Sequence, residues 1–355
     1  MKKILIGGLL AVTIATSAFG QDKQSAEYQA MIEASKQEDG LLVYSNLPTF
    51  IWDDFIALLA ETYPWVKMET TDMGDELWER YYAESGSKTR TADLISTTAP
   101  NRYAEFIDRG EIEPYVSVES DALPEWSNPE PGLYTVSASP AIMVYNKITL
   151  PTPPDSLHGI AEMIQADPAK MNGKVSTYDA SSNSFGTAMF ATWLQKDDNT
   201  WDVLDIIGSA TRPESGAGVQ REKVMTGEYD LAFFFNSVSL ISLSKPEVQQ
   251  LVGWSYITDG TPVSLQGAAV TKAATSPNTA KIVLDLMLSK EGQIALAKRG
   301  LTPYREDVEQ GDLPFPVLKT AADKIGEENL IYYSYDRDVV NSWPDVVTRW
   351  SKAFK

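Results

Sequence analysis

Leu41-Leu-Val-Tyr-Ser45 opens the stretch that decides the fold, and four further segments up to Ser96 complete it. Trp52 to Tyr63 carries apolar residues at helical spacing, Val66-Lys-Met-Glu-Thr70 alternates as a strand does, Glu76 to Ser85 reads as a helix, and Ala92-Asp-Leu-Ile-Ser96 is again a short apolar strand. Strand, helix, strand, helix, strand implies an open, mostly parallel sheet with helices on both faces. Ligands of such sheets bind beyond the carboxyl ends of the strands. Those ends are Tyr44-Ser45-Asn46, Thr71-Asp72-Met73-Gly74 and Ser96-Thr97-Thr98-Ala99-Pro100-Asn101. Ser45, Asn46, Thr97 and Thr98 are therefore candidate ligand contacts, since each both donates and accepts hydrogen bonds. Ordinary turn and cap chemistry favours the same residue types, so it is the convergence of three such loops at one edge that points to binding.

A second unit of the same kind follows. Ala141-Ile-Met-Val-Tyr-Asn-Lys147 reads as a strand leading into the proline-marked crossover Leu150-Pro-Thr-Pro-Pro154, and Gly173-Lys-Val-Ser-Thr-Tyr178 is a strand before a helix at 187–194. Ser182 and Asn183, with Ser184, fall at that helix's N-terminus, where free N–H groups and the dipole favour a polar or anionic guest. Ser215 and Gly216 precede a helix at 219–226 in the same way. The strand Tyr229-Asp-Leu-Ala-Phe-Phe-Phe235 ends in Asn236 and Ser237, with the three phenylalanines expected in the core. The chain then returns through Gly260-Thr-Pro-Val-Ser-Leu-Gln-Gly267, giving two crossing strands that would act as a hinge. The implied organisation is a leader at 1–20, a discontinuous first lobe at 21–143 and 267–355, and a second lobe at 144–266.

At the N-terminus Lys2 and Lys3 precede an apolar run from Ile4 to Ala15 and the small-residue site Ala18-Phe19-Gly20, the pattern of an export leader cleaved before Gln21. The run is shorter than the roughly 20 residues of a bilayer span, and no cysteine is present to carry a lipid. The 355 residues exceed one typical domain of roughly 100–200 residues. The formal charge of −19 argues against nucleic acid, whose phosphates demand a basic face. Zero cysteines exclude disulfides and thiolate metal sites, and the single His158 leaves no multi-histidine metal site. His158 lies at a proline-rich helix entry and is expected to sit on the surface or to cap. No nucleophile-elbow, Walker or paired-histidine zinc motif occurs.

The order of several short strings over residues 41–308 resembles the extracellular solute-binding family 1 group, in the branch with ferric-ion, hexose-phosphate and phosphonate binders of ABC importers. The strings are Val43-Tyr-Ser-Asn46, Ala92-Asp-Leu-Ile95, Val144-Tyr-Asn-Lys147, Asn172-Gly-Lys-Val175, Gly227-Glu-Tyr-Asp230, Gly267-Ala-Ala-Val270, Leu288-Ser-Lys-Glu-Gly-Gln293 and Pro303-Tyr-Arg-Glu-Asp307. The resemblance implies a type II periplasmic-binding-protein fold and a non-enzymatic periplasmic receptor, without cofactor and expected as a monomer, that hands its solute to an ABC permease in the inner membrane. Ferric members of the branch carry adjacent tyrosines where this chain has Phe234-Phe235-Asn236-Ser237. Tyr81-Tyr82 and Tyr332-Tyr333 lie elsewhere and are expected to pack, so the resemblance does not extend to a metal site.

The expected ligand is a small polar solute. The helix N-termini suit an anion such as a sugar phosphate, phosphonate or carboxylate, with Arg212 as the cation to watch, while nine tryptophans leave a stacked neutral sugar open. Competing readings are a ferric-ion carrier and a secreted hydrolase or lyase.

Overall fold

β1 (Leu41–Ser45) has Leu41, Val43 and Tyr44 fully buried, the near-continuous apolar run required of a strand covered on both faces. It pairs in parallel with β2 (Met68–Asp72) on one side and β3 (Leu94–Thr97) on the other. The computed structural model describes residues 23–196, 200–311 and 313–355; the leader expected at 1–20 lies outside them. Among the described residues no helix is long and apolar enough to cross a membrane.

Beyond β3 the sheet continues through two antiparallel strands into a second parallel set. β4 (Leu133–Asn146), β5 (Val175–Tyr178), β6 (Thr211–Glu214), β7 (Leu231–Asn236), β8 (Val252–Tyr256), β9 (Thr261–Val270) and β10 (Leu330–Tyr332) complete it, in the spatial order β2-β1-β3-β9-β4-β7-β5-β6. β8 pairs with β4 and β10 with β9. The two lobes share no continuous parallel ladder; their sheets join where β4 and β9 run antiparallel.

β4 is twice the length anticipated from residues 141–147. Its first half, Leu133–Pro140, pairs with β9, and from Ala141 onward it pairs with β7 and β8. Pro140 marks the exchange of partners, and lacking an N–H it fits a position where the ladder changes hands. This first half alternates Tyr134, Val136 and Ala138 with Thr135, Ser137 and Ser139, the period of a strand, a signal that the reading of 141–147 passed over. Both hinge strands are buried along nearly their whole length.

In β7 all three of Phe233, Phe234 and Phe235 are fully buried, so they are core as expected. Phe234 has φ +57°, and the β4–β7 register shifts between Ile142 and Val144 at the same place. This is a bulge with an aromatic residue in the left-handed region, which costs on the order of 1–3 kcal/mol and is held there by edge-to-face packing on Phe190 and Phe233.

The C-terminal segment departs from its expected place. The sequence assigns 267–355 to the first lobe, and Glu38 ties its helix Pro277–Leu288 to the helix Ala26–Ser35 by accepting from the N–H groups of Asn278 and Thr279. The last helix, Trp343–Ala353, instead packs on Ser184–Trp193 and Thr200–Gly208, which belong to the second lobe. Trp350 and Phe354 stack at 4.8 Å and both meet Phe190. The preceding helix, Arg337–Asn341, contacts Pro100–Asp108 of the first lobe, with Arg337 paired to Asp108 at 2.9 Å. The chain thus crosses between lobes a third time, because Trp350 and Phe354 find their ring partner in Phe190 of the second lobe.

Within the first lobe Asp285 is 1% exposed and accepts from Tyr115 Oη (2.6 Å) and Ser117 Oγ (2.5 Å), joining the helix Pro277–Leu288 to the loop before β4. Burial outweighs those hydrogen bonds and pushes its carboxyl up to about 6.

Two stability predictions follow from this packing. Asp285 holds its proton more tightly folded than unfolded, so its favourable contribution is complete below about pH 4 and is lost as pH rises through about 6. Urea denaturation of wild type and Asp285→Asn should therefore show a difference that changes by about 1–3 kcal/mol between those pH values; a pH-independent difference would contradict it. A Cβ on Gly208 would lie 2.2 Å from the carbonyl oxygen of Ala353. Gly208→Ala should destabilise by about 1–3 kcal/mol, whereas a helix end without this contact would gain roughly 0.5–1 kcal/mol from the same change.

Candidate functional site

The carboxyl ends of β1 and β3 face those of β5 and β7 across a cleft. One hollow of about 320 Å³ is lined from the first lobe by Asn46, Thr97 and Thr98 and from the second by Ser182, Asn183 and Ser184. A second, of about 220 Å³, shares Asn46 and Thr98 and reaches Asn236, Tyr178 and the hinge residues Ser139, Ser264 and Gln266. Residues from both ends of the sequence and from the crossing strands thus converge on one space, of the size usual for small-molecule sites.

Asn46 organises the first-lobe rim. Its Nδ2 donates to Thr98 Oγ1 at 3.0 Å, and its Oδ1 accepts from Gln266 Nε2 at 3.1 Å; the same Gln266 nitrogen reaches Ser96 Oγ. β1, β3 and the hinge strand β9 are therefore pinned together at the cleft floor. Thr97 is held from behind, its N–H donating to Tyr103 Oη at 3.3 Å.

On the opposite rim Asn183 caps the helix Ser184–Trp193, accepting from Gly186 N at 2.9 Å, while its Nδ2 donates to the carbonyl of Ser215 at 3.0 Å. Both ends of its amide are occupied, so it positions the two second-lobe loops. Asn236 similarly accepts from Val238 N at the end of β7, where the Phe234 bulge re-aims the strand end.

Four candidates do not line the cleft. Ser45 is fully buried, and its Oγ accepts from Leu47 N, shaping the turn. Ser215 contributes its carbonyl to Asn183 rather than a side chain. Gly216 precedes the helix Ala217–Thr226 in open space, and it is Ala217 that reaches the wall. Ser237 is buried beneath the rim, with an Oγ that has no partner among the described residues. Arg212 is also elsewhere: its guanidinium covers Gly173, at the amino end of β5, so that a Cβ there would lie 2.5 Å from Nε.

The sequence reading missed Asp75, Trp78 and Phe185 on the wall and Ser139, Ser264 and Gln266 on its floor. Ser264 and Gln266 had a signal, polar side chains two residues apart in a largely apolar strand, and Ser139 belongs to the polar register of an alternating one. Trp78, 1% exposed, is the only one of nine tryptophans on these walls, and it packs edge-to-face on Tyr103 and Phe106. Its Nε1–H has no acceptor among the described residues. Asp75 is exposed, and its carboxylate makes no cap bond to the helix it precedes. No Lys, Arg or His side chain lines either hollow.

The tyrosine pairs pack as expected. Tyr81 donates to Glu111 and Tyr82 lies under Arg109, while Tyr332 stacks on Trp126 and Tyr333 is buried. Among the described residues no group of three or more His, Cys, Asp or Glu side chains is placed to hold a metal ion. His158 lies on the surface against Asp259 at 2.6 Å, beside the helix that Asp259 and Ser156 cap.

Two α/β lobes, joined by crossing strands and lined by polar side chains at their facing rims, define a cleft of the type II periplasmic-binding-protein fold. Residues 130–302, which span the second lobe and both hinge strands, match the model of a family described as bacterial extracellular solute-binding protein. No curated protein sequence matches the chain. Among solved structures the chain is similar to a substrate-binding protein of an ABC transporter from Agrobacterium tumefaciens (TM-score 0.76, 21% identity, 89% of this chain and 95% of that one). It is similar also to AfuA of Actinobacillus pleuropneumoniae, solved with fructose-6-phosphate (0.69, 19%, 89% and 98%), and to iron-bound HitA of Pseudomonas aeruginosa (0.69, 17%, 88% and 99%). At these identities the likeness establishes the fold.

The double variant Asn183→Ala/Asn236→Ala removes both rim caps, each worth about 1 kcal/mol. It should lose about 2 kcal/mol of stability in urea and most ligand-induced stabilisation; unaltered ligand affinity would remove both residues from the site.

Proposed function

We propose that the chain is the periplasmic substrate-binding component of an ABC importer, closing its lobes on a small polar organic solute and presenting it to an inner-membrane permease. The observation that carries this reading is the single hollow bounded by Asn46, Thr97 and Thr98 on one lobe and by Ser182, Asn183 and Ser184 on the other. A solute touching both rims favours the closed arrangement by its differential contacts, which is what a capture-and-release protein requires. The export leader at 1–20 supports delivery to the periplasm, and the family of residues 130–302 supports binding without turnover.

The anticipated anionic solute finds less support, since it would rest on helix N–H groups alone: Arg212 is remote and the walls hold no cation. The ferric alternative lacks paired phenols at the rim. Tyr178 is the one tyrosine on these walls, and burial raises its phenol well above the usual range, which opposes the phenolate a hard cation needs. A hydrolase would need an activated nucleophile, and His158 stands on the surface with Asp259 rather than in the cleft.

Scattering and calorimetry on the purified protein test the reading. A bound solute at about 100 times its Kd should add about 2.7 kcal/mol to unfolding stability, reduce the radius of gyration, and be recovered chemically unchanged. Conversion to product would assign an enzyme instead, and a tyrosinate absorption band with stoichiometric Fe(III) would assign an iron carrier.

A further inference from the structure

We propose that the cleft takes an uncharged, hydroxyl-rich solute of about monosaccharide size, rather than an anion. This rests on the solute-binding reading above and specifies its ligand. The 320 Å³ hollow has the room of roughly ten water molecules. Its wall sets two groups of opposite demand beside each other on the segment after β2. The carboxylate of Asp75 can only accept, and it makes no hydrogen bond or ion pair among the described residues; Trp78 Nε1 can only donate, and it is buried without an acceptor.

A carboxylate presents only acceptor oxygens at neutral pH, and a phosphate, though it can keep one P–OH, carries at least one full negative charge. Either could satisfy Trp78 and would be repelled by Asp75. With an effective dielectric constant of about 20, a monoanion about 5 Å from that carboxylate is disfavoured by on the order of a hundredfold in affinity. Nothing on the walls offsets this, since neither hollow presents a Lys, Arg or His, and the chain's formal charge of −19 adds to the repulsion.

A sugar or polyol meets both demands. One hydroxyl donates to Asp75 while another accepts from Trp78. Thr98, Ser182, Ser184 and Gln266 offer the mixed donors and acceptors that further hydroxyls require, and Phe185 supplies an apolar face for the ring's C–H groups.

The test uses the leaderless full-length protein with hexoses, pentoses and sugar alcohols on one side, and their phosphate esters and inorganic phosphate on the other, by thermal shift and titration calorimetry. At least one neutral probe should bind with an affinity indifferent to salt. Asp75→Asn should weaken it about tenfold, and Trp78→Phe, which keeps the ring packing on Tyr103 and Phe106, about fivefold. Tighter binding of a phosphate ester or of phosphate itself, strengthened by Asp75→Asn and weakened by salt, would overturn the proposal while leaving the solute-binding reading intact. Failure of both probe sets to stabilise the protein would overturn the solute-binding reading together with this one.

Discussion

The antiparallel pairing of β4 with β9 is the constraint on which the rest of the molecule depends. Seven residue pairs, from Leu133↔Ala269 to Pro140↔Val263, hold two otherwise separate sheets in one frame. Several polar side chains in these buried strands are matched: Ser137 Oγ accepts from Thr302 N at 2.8 Å, and Ser264 Oγ donates to the carbonyl of Ser139 at 3.2 Å. Such matching fixes the register, since a one-residue slip would turn each of these groups into apolar surroundings. Gln266 then carries the hinge's register into the cleft, because its amide holds Asn46 and Ser96.

A ligand cleft needs facing rims that are rigid while the space between them changes. Here each rim is stiffened by an asparagine whose amide is used within the protein, Asn46 linking β1, β3 and β9, and Asn183 linking two helix-leading loops. Hydroxyls and backbone groups are left to face the solute. The Phe234 bulge serves the same rim: strain at a buried aromatic residue is tolerated because Phe190 and Phe233 enclose it.

The third crossing makes the lobes unequal partners. Arg337 meets Asp108 on one lobe and Arg349 meets Asp205 on the other, but exposed ion pairs of this kind are worth little. Burial of Trp350 and Phe354 against Phe190 dominates, at roughly 1.5–3 kcal/mol for each large side chain fully removed from water. In the proposed closure this segment would travel with the second lobe, and the chain between Tyr333 and Arg337 would accommodate it.

Local patterning was enough to place the elements that build the sheets. β1 falls at 41–45 as the apolar run requires, and the alternation from Leu41 to Ser96 carries its own topology, since parallel neighbours need helical crossovers. The hinge was visible as two crossings but not in its extent: the first half of β4 alternates as a strand does, while its pairing with β9, more than a hundred residues on, is a tertiary fact. The rims were legible as polar loops at strand ends; which of their residues face the cleft was not. Ser45 and Ser237 turn inward, Arg212 lies at the wrong end of its strand, and Asp75 and Trp78 reach the wall through a helix whose acidic and aromatic residues look like ordinary surface and core. Sequence by itself determined the two α/β units, their order and the chemical character of their edges, since these follow from periodicities of a few residues. Tertiary structure alone decided which polar groups are consumed by the protein and which remain open to the cleft, and where Trp343–Ala353 docks, because the first depends on pairings such as Asn46 with Thr98 and Gln266 and the second on an aromatic cluster more than a hundred residues away.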